Sequence, residues 1–263
     1  MSTPPIAACL TAILALAAPL AWAQTEFTPD PGDLPEEQKI YSPYVERTAT
    51  DNNFAEGLYW GDTHLHTKYS TDAGMVGNKL GPDEAYAFAK GEEVLSSTGQ
   101  RARLIRPLDF LVVADHAENL GLAPMIEESN SELLATEAGR KWHDMVRAGQ
   151  GYEAFREWAT SVWQGDKIKS RKMTRLVWDR QIEAAERHNE PGQFTALIGY
   201  EWSSLGTTDA PSNLHRVVVF RDGADKAGEM LPFSVFDSND PEKLWDHMAR
   251  YEDATGGSVL AIP

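Results

Sequence analysis

Two histidines one residue apart, in Asp62-Thr63-His64-Leu65-His66, are the strongest local chemical signal in this chain. In extended backbone, residues two apart point to the same side. His64 and His66 can therefore grip one metal ion together, with Asp62 beside them as a ligand or as the group that orients them. Alone, the pattern fits a surface strand with incidental histidines equally well. Asp115-His116 adds weight. It follows the apolar run at residues 108–114, and a charged pair there must be solvated at a rim or met by a partner. A helix cap by Asp115 with a bystander histidine is the plainer alternative. Glu201 follows the apolar run at residues 194–200 in the same way, and His215 stands just before Val217-Val218-Val219-Phe220. Asp72, in Ser70-Thr71-Asp72-Ala73, is of a type common in turns. Each residue has a bland explanation singly. Together they put four of the seven histidines at expected strand ends, which points to a metal site. His143, His188 and His247 lie on charged helical stretches and read as ordinary surface histidines.

The donor set narrows the chemistry. Cys9 is the only cysteine, so histidines and carboxylates must do the holding. Such ligands suit zinc, manganese or iron, as two or three divalent ions. Adjacent ions lower the pKa of a bridging water and clamp an attacked phosphoryl group, so hydrolysis of phosphate esters is the expected reaction. Arg101, Arg103 and Arg106 precede the Asp115 strand and could bind a phosphate, or form a solvated loop. Two alternatives stay open: a metal-dependent hydrolase of C–N or C–O bonds, and a secreted metal-binding protein without catalysis.

Strands and helices must alternate to deliver these residues, giving an α/β chain with its chemistry at the carboxyl ends of the strands. Leu58-Tyr59-Trp60 is expected to start the first strand, with Asp62, His64 and His66 after it. Pro82 at a first helical position, with Asp83 and Glu84 behind it, starts a helix whose apolar face holds Ala85, Phe88 and Ala89. Residues 108–114 and 194–200 read as buried strands, the second ending at Glu201. Between them, residues about 122–190 read as a charged helical insertion spaced with Trp142, Phe155, Trp158, Trp163 and Trp178, placed to cover the site and select substrate. Asp240-Pro241 starts a helix bearing Leu244, Trp245 and Met248, Gly256-Gly257 ends it, and residues 258–262 open a last strand.

The whole chain bounds the partners. Of its 263 residues 42% are hydrophobic, enough for a substantial core. A net charge of −16 with no basic stretch disfavours nucleic acid and anionic membranes. A small anionic substrate would meet its cations as metal ions. Residues 1–23 read as an export signal: an apolar run from Ile6 to Leu20, then Ala21-Trp22-Ala23 as a small-x-small cleavage pattern. Cleavage there would remove Cys9 and leave a secreted or periplasmic protein with no stable membrane association. Residues 24–57, punctuated by Pro29, Pro31, Pro35 and Pro43, read as an irregular arm, and residues 58–263 as the metal-binding domain. The oligomeric state is not legible.

The ordered motifs resemble those of the PHP (polymerase and histidinol phosphatase) superfamily. More closely, Tyr59-Trp60-Gly61-Asp62-Thr63-His64-Leu65-His66-Thr67, Leu108-Asp109-Phe110-Leu111-Val112-Val113-Ala114-Asp115-His116-Ala117-Glu118-Asn119 and Ile198-Gly199-Tyr200-Glu201-Trp202 resemble a secreted branch, the DUF3604 family. The resemblance implies a distorted (β/α)7 barrel and three metal ions. It implies that His64, His66 and Glu201 hold the first ion, and that Glu201 bridges to a second, which His215 also binds. Asp72, where many relatives have His, and His116 would hold a third, with Asp62 and Asp115 as further ligands or orienting groups. The superfamily also places a His after the strand that follows the last helix, and an Asp-x-His pair near its end. Neither is present before Pro263, so the resemblance implies an incomplete barrel lacking its last strands and several ligands, and a fragment that lacks full activity.

Overall fold

Residues 110–114 and 217–220 are apolar and rich in valine, the composition of buried strands, and they lie on the two strands that flank the central one of a five-stranded mixed sheet. In the computed structural model, which describes residues 58–206 and 213–263, its strands are β1 (Gly61–Leu65), β4 (Phe110–Val113), β5 (Thr195–Leu205), β6 (Asn213–Phe220) and β7 (Val259–Ile262). They lie in the order β1-β4-β5-β6-β7. β1, β4 and β5 run parallel, β6 runs antiparallel to β5, and β7 antiparallel to β6. A separate two-stranded ribbon pairs β2 (Val94–Leu95) with β3 (Arg101–Ala102). The expected export signal and arm, residues 1–57, lie outside the described residues.

Nine helices complete the described chain: α1 (Thr71–Met75), α2 (Pro82–Ala89), α3 (Leu122–Glu127), α4 (Ser131–Leu134), α5 (Glu137–Arg147), α6 (Gly151–Val162), α7 (Arg171–His188), α8 (Ala224–Ala227) and α9 (Pro241–Thr255). Their ends follow from local chemistry. The Glu84 carboxylate accepts from Gly81 N at 2.8 Å ahead of Pro82 in α2, Ser170 accepts from Met173 N at α7, and Asp240 accepts from Glu242 N at α9. Gly256 closes α9 with φ 63, a backbone that L side chains resist.

Residues 122–188 thus carry five helices and no strand, and α7 is the crossover from β4 to the parallel β5. Trp142, Trp158 and Trp178 are buried in the same core as Leu111, Val113, Ile198, Tyr200 and Phe220 on one face of the sheet. The opposite face is thinner: Val112, Ala114, Val217 and Val219, with Leu197 and Ile262 beside them. Buried Gln181 of α7 stitches β4 to β5, its Nε2 donating to Val113 O at 3.1 Å and Gly199 O at 2.7 Å. Trp163 and Trp245 are instead exposed, and the deepest residue of α2 is Tyr86 rather than Ala85 or Phe88.

Several expected boundaries move. The first strand starts at Gly61, not Leu58, because pairing begins where β4 begins, Gly61 facing Phe110. A Cβ on Gly61 would fall 2.5 Å from the Phe110 ring, so glycine permits that approach. Asp62 and His64 therefore lie within β1 and only His66 follows it. β5 does not stop at Glu201 but continues to Leu205, and β6 already contains His215. Among the described residues the sheet is open, with β1 and β7 at its edges, and no closed barrel is formed.

Candidate metal centre

The thin face of the sheet carries the site. On β5, Glu201 shares the side of Leu197; on β6, His215 shares that of Val217 and Val219. Glu201 sits three residues past the Val113–Ile198 pair that ends the β4–β5 ladder, bridged to His116 in parallel fashion. Antiparallel pairing sets Ser203 directly across from His215. His215 thereby reaches the rim from the start of a reversed strand, where the carboxyl ends of β1 and β4 bring His66 and His116.

Glu201 is the hub. Its side chain is 1% exposed, and four imidazoles surround its two oxygens. Oε1 lies 3.0 Å from His64 Nε2 and 2.6 Å from His215 Nδ1. Oε2 lies 2.8 Å from His66 Nε2 and 3.2 Å from His116 Nδ1. On the far side, Asp72 Oδ2 lies 3.3 Å from His66 Nδ1 and 3.7 Å from His116 Nε2. Three sets of donors fall within 4.8 Å of one another: His64, His66 and Glu201; His116, Glu201 and His215; His66, Asp72 and His116.

These residues fit a cation better than they fit each other. His66 Nε2 and Glu201 Oε2 approach to 2.8 Å, yet both are buried without a hydrogen bond of acceptable geometry. Buried polar atoms are normally satisfied; two donors crowded this way are placed to share a positive ion. Asp72 and the Ser70 hydroxyl, at 3.3 and 3.2 Å, engage His66 Nδ1 and leave Nε2 free to ligate.

Electrostatics tell the same story for the protein without metal. Burial raises the Glu201 carboxyl, but His66 and His116 outweigh it and hold it down to about 2. Burial lowers His66, but Asp72 and Glu201 overcome it and raise the imidazole to about 10. Burial likewise raises Asp72, and contact with His66 and His116 drives it well below the usual carboxylate range. His116 is raised overall, its burial outweighed by Glu118 and Glu201. The carboxylates around His66 and His116 favour their protonated forms, whose protons metal ions would displace.

The remaining candidates divide. Asp115 is fully buried and holds the turn after β1, accepting from Thr67 N at 2.5 Å and Thr67 Oγ1 at 2.7 Å; burial raises its carboxyl to about 6. It positions His66 from behind and belongs to none of the three donor sets. Asp62 is outside them too. Asp62 pairs with Leu111 but Leu65 with Val113, a register shift that breaks the alternation between Asp62 and His64. Its carboxylate caps His64 N at 2.8 Å. Arg101 is exposed in β3 and paired with Glu93 at 3.2 Å, while Arg103 and Arg106 are exposed on the approach to β4.

Glu118 was not singled out by the sequence. It is 3% exposed, accepts from Ser203 N at 3.4 Å and Val235 N at 3.0 Å, and puts Oε2 3.4 Å from His116 Nδ1. A carboxylate behind a ligating histidine fixes its ring and raises its basicity. The available signal was its place in Asp115-His116-Ala117-Glu118, two residues beyond a candidate ligand.

No helix among the described residues is long and apolar enough to cross a membrane. No curated protein and no solved structure matches the chain. Residues 53–263 match the family described as "Protein of unknown function (DUF3604)", and the chain, with its histidines gathered around Glu201, belongs to that family.

Proposed function

We propose that this protein is a metal-dependent hydrolase of phosphate esters, working from a multinuclear centre held by His64, His66, Asp72, His116, Glu201 and His215. The observation that carries the reading is the buried Glu201 carboxylate with two imidazoles at each oxygen. A carboxylate common to two donor sets suits a bridge between two ions. When bound, divalent zinc, manganese or iron would supply an acidified water and neutralise charge developing on phosphorus. The chain's own residues do the rest. Glu201 and the four histidines would hold the ions. Glu118 and Asp115 fix His116 and the His66 turn. Ser203 Oγ, 3.2 Å from His116 Nδ1 and 3.3 Å from His215 Nδ1, spaces two rings.

The same ordered motifs motivate membership of the PHP superfamily. The helices of residues 122–188 would border the site and select a small anionic substrate. Export directed by residues 1–23 would put the reaction outside the cytoplasm.

The deciding experiment incubates the protein with manganese, zinc or ferrous ion and offers phosphomonoesters, phosphodiesters, carboxylic esters and amides. Turnover of a phosphoester that chelator abolishes and Glu201→Gln suppresses is the expected result. Metal-dependent turnover confined to amides or carboxylic esters would transfer the proposal to C–N or C–O bonds. Stoichiometric metal with no turnover of any class would leave a metal-binding protein.

A further inference from the structure

Beside the metal centre lies a second feature that the hydrolytic reading does not use. An open cavity of about 830 Å³ runs between the start of α7, residues 229–237 and α9. Lys169, Arg171 and Arg250 line it and, among the described residues, make no ion pair or side-chain hydrogen bond, unlike Arg175, which is engaged by Asp179 and Gly228 O.

The acids of the cavity are mostly committed elsewhere. Asp166 accepts from Asn119 Nδ2 at 2.9 Å and Ile168 N at 2.8 Å. Asp237 accepts from Ser234 N at 2.9 Å and Ser234 Oγ at 3.1 Å. Glu229 alone opposes the cations without such partners. The first turn of the 18-residue α7 opens on the same space and adds its dipole. Three unpaired cations converging on one hollow are notable in a chain of net charge −16.

We propose that this cavity binds an oxyanion group, phosphate or sulfate, of a small molecule, with Lys169, Arg171 and Arg250 as its contacts. Guanidinium groups suit the task because they offer paired donors to two oxygens at once. The cavity adjoins the centre: Ala117 and Asn119 line it, while Glu118 between them meets His116 at 3.4 Å. Val235, from the wall segment, donates to the same Glu118 carboxylate. Occupancy of the cavity would thus brace the wall that holds Glu118. The inference does not depend on phosphoester hydrolysis; it concerns binding by the metal-free protein.

The test is calorimetric titration of chelator-treated protein, at low ionic strength, with inorganic sulfate and separately with inorganic phosphate. The expected dissociation constant is about 1 mM or tighter. The double variant Arg171→Gln/Arg250→Gln should weaken binding by tenfold or more, on the order of the loss of one charge-assisted contact. Glu229→Gln should tighten it several-fold by removing the opposing charge. Glu201→Gln should leave it unchanged. A preference between the two anions identifies which group the cavity takes. No binding by the parent protein, undiminished binding by the double variant with its circular dichroism intact, or binding that Glu201→Gln alone abolishes would overturn the proposal. If the double variant fails to fold, Glu229→Gln still decides: unchanged affinity there refutes the charge argument.

Discussion

Replacement of Glu201 by glutamine probes the metal centre most directly. The amide keeps the shape of the side chain and removes its charge. Of the three donor sets, two contain Glu201, while His66, Asp72 and His116 form the third without it. Glu201→Gln should therefore lose the ions of two sets and keep that of one. His64→Ala and His215→Ala each belong to one set and should lose one ion apiece. Even disturbance of a group behind a ligand costs about 10–100-fold in metal affinity. Loss of a shared anionic ligand should exceed that, which is enough to empty both sites at micromolar free metal. The fold should survive. Removing one partner of a buried pair costs about 3–5 kcal/mol when the other stays charged, but here His66 can release its proton. The assay is elemental analysis after dialysis against buffered manganese or zinc, with circular dichroism as the folding check. Equal metal content in Glu201→Gln and the parent, or equal losses in Glu201→Gln and the remote His143→Ala, would refute the bridging role.

Three further outcomes are expected. Metal binding should release protons, since Asp72 and Glu201 keep His66 protonated up to about 10; affinity should rise with pH, and titration heats should differ between buffers of different ionisation enthalpy. Burial raises Asp115 to about 6, so the folded state binds its proton more tightly than the unfolded state. Its contribution is present at low pH and falls as pH rises through the folded pKa. Against Asp115→Asn, the stability difference of the metal-free protein should shrink by about 2 kcal/mol between pH 4.5 and 7 in urea melts, and a constant difference would sink this assignment. Gln181→Leu should leave Val113 O and Gly199 O without their donor and cost about 1–3 kcal/mol by the same measurement; a neutral effect would show that other groups satisfy them.

Much of the site was legible because its residues are of uncommon type in a patterned setting. Apolar runs announce β4 and the first half of β5, and the polar residues that break those runs are among those that gather around Glu201. The same logic explains the errors. At Glu201 the apolar run ends but the strand does not, because Ser203 faces the site, where polar groups are needed, while Trp202 faces the core. His215 lies inside β6 for the mirror-image reason. Asp62 was expected as a ligand or an orienting group; a register shift falls between Asp62 and Leu65, which only paired strands reveal, and its carboxylate caps His64 N. Glu118 was passed over because its place beside His116 gains meaning only from Ser203 and Val235, far away in sequence. The ribbon of β2 and β3 is too short to leave a periodic pattern.

The sheet's two unequal faces have a further consequence. The aromatic core packs on one side, and the histidines, carboxylates and a few valines occupy the other. A substitution on the metal side leaves most of the apolar packing untouched, so its penalty falls on chemistry more than on persistence of the fold. Such an arrangement is permissive toward divergence. Descendants of one scaffold can exchange a polar residue on that face and change their chemistry while the tryptophan-lined half continues to specify the chain's shape.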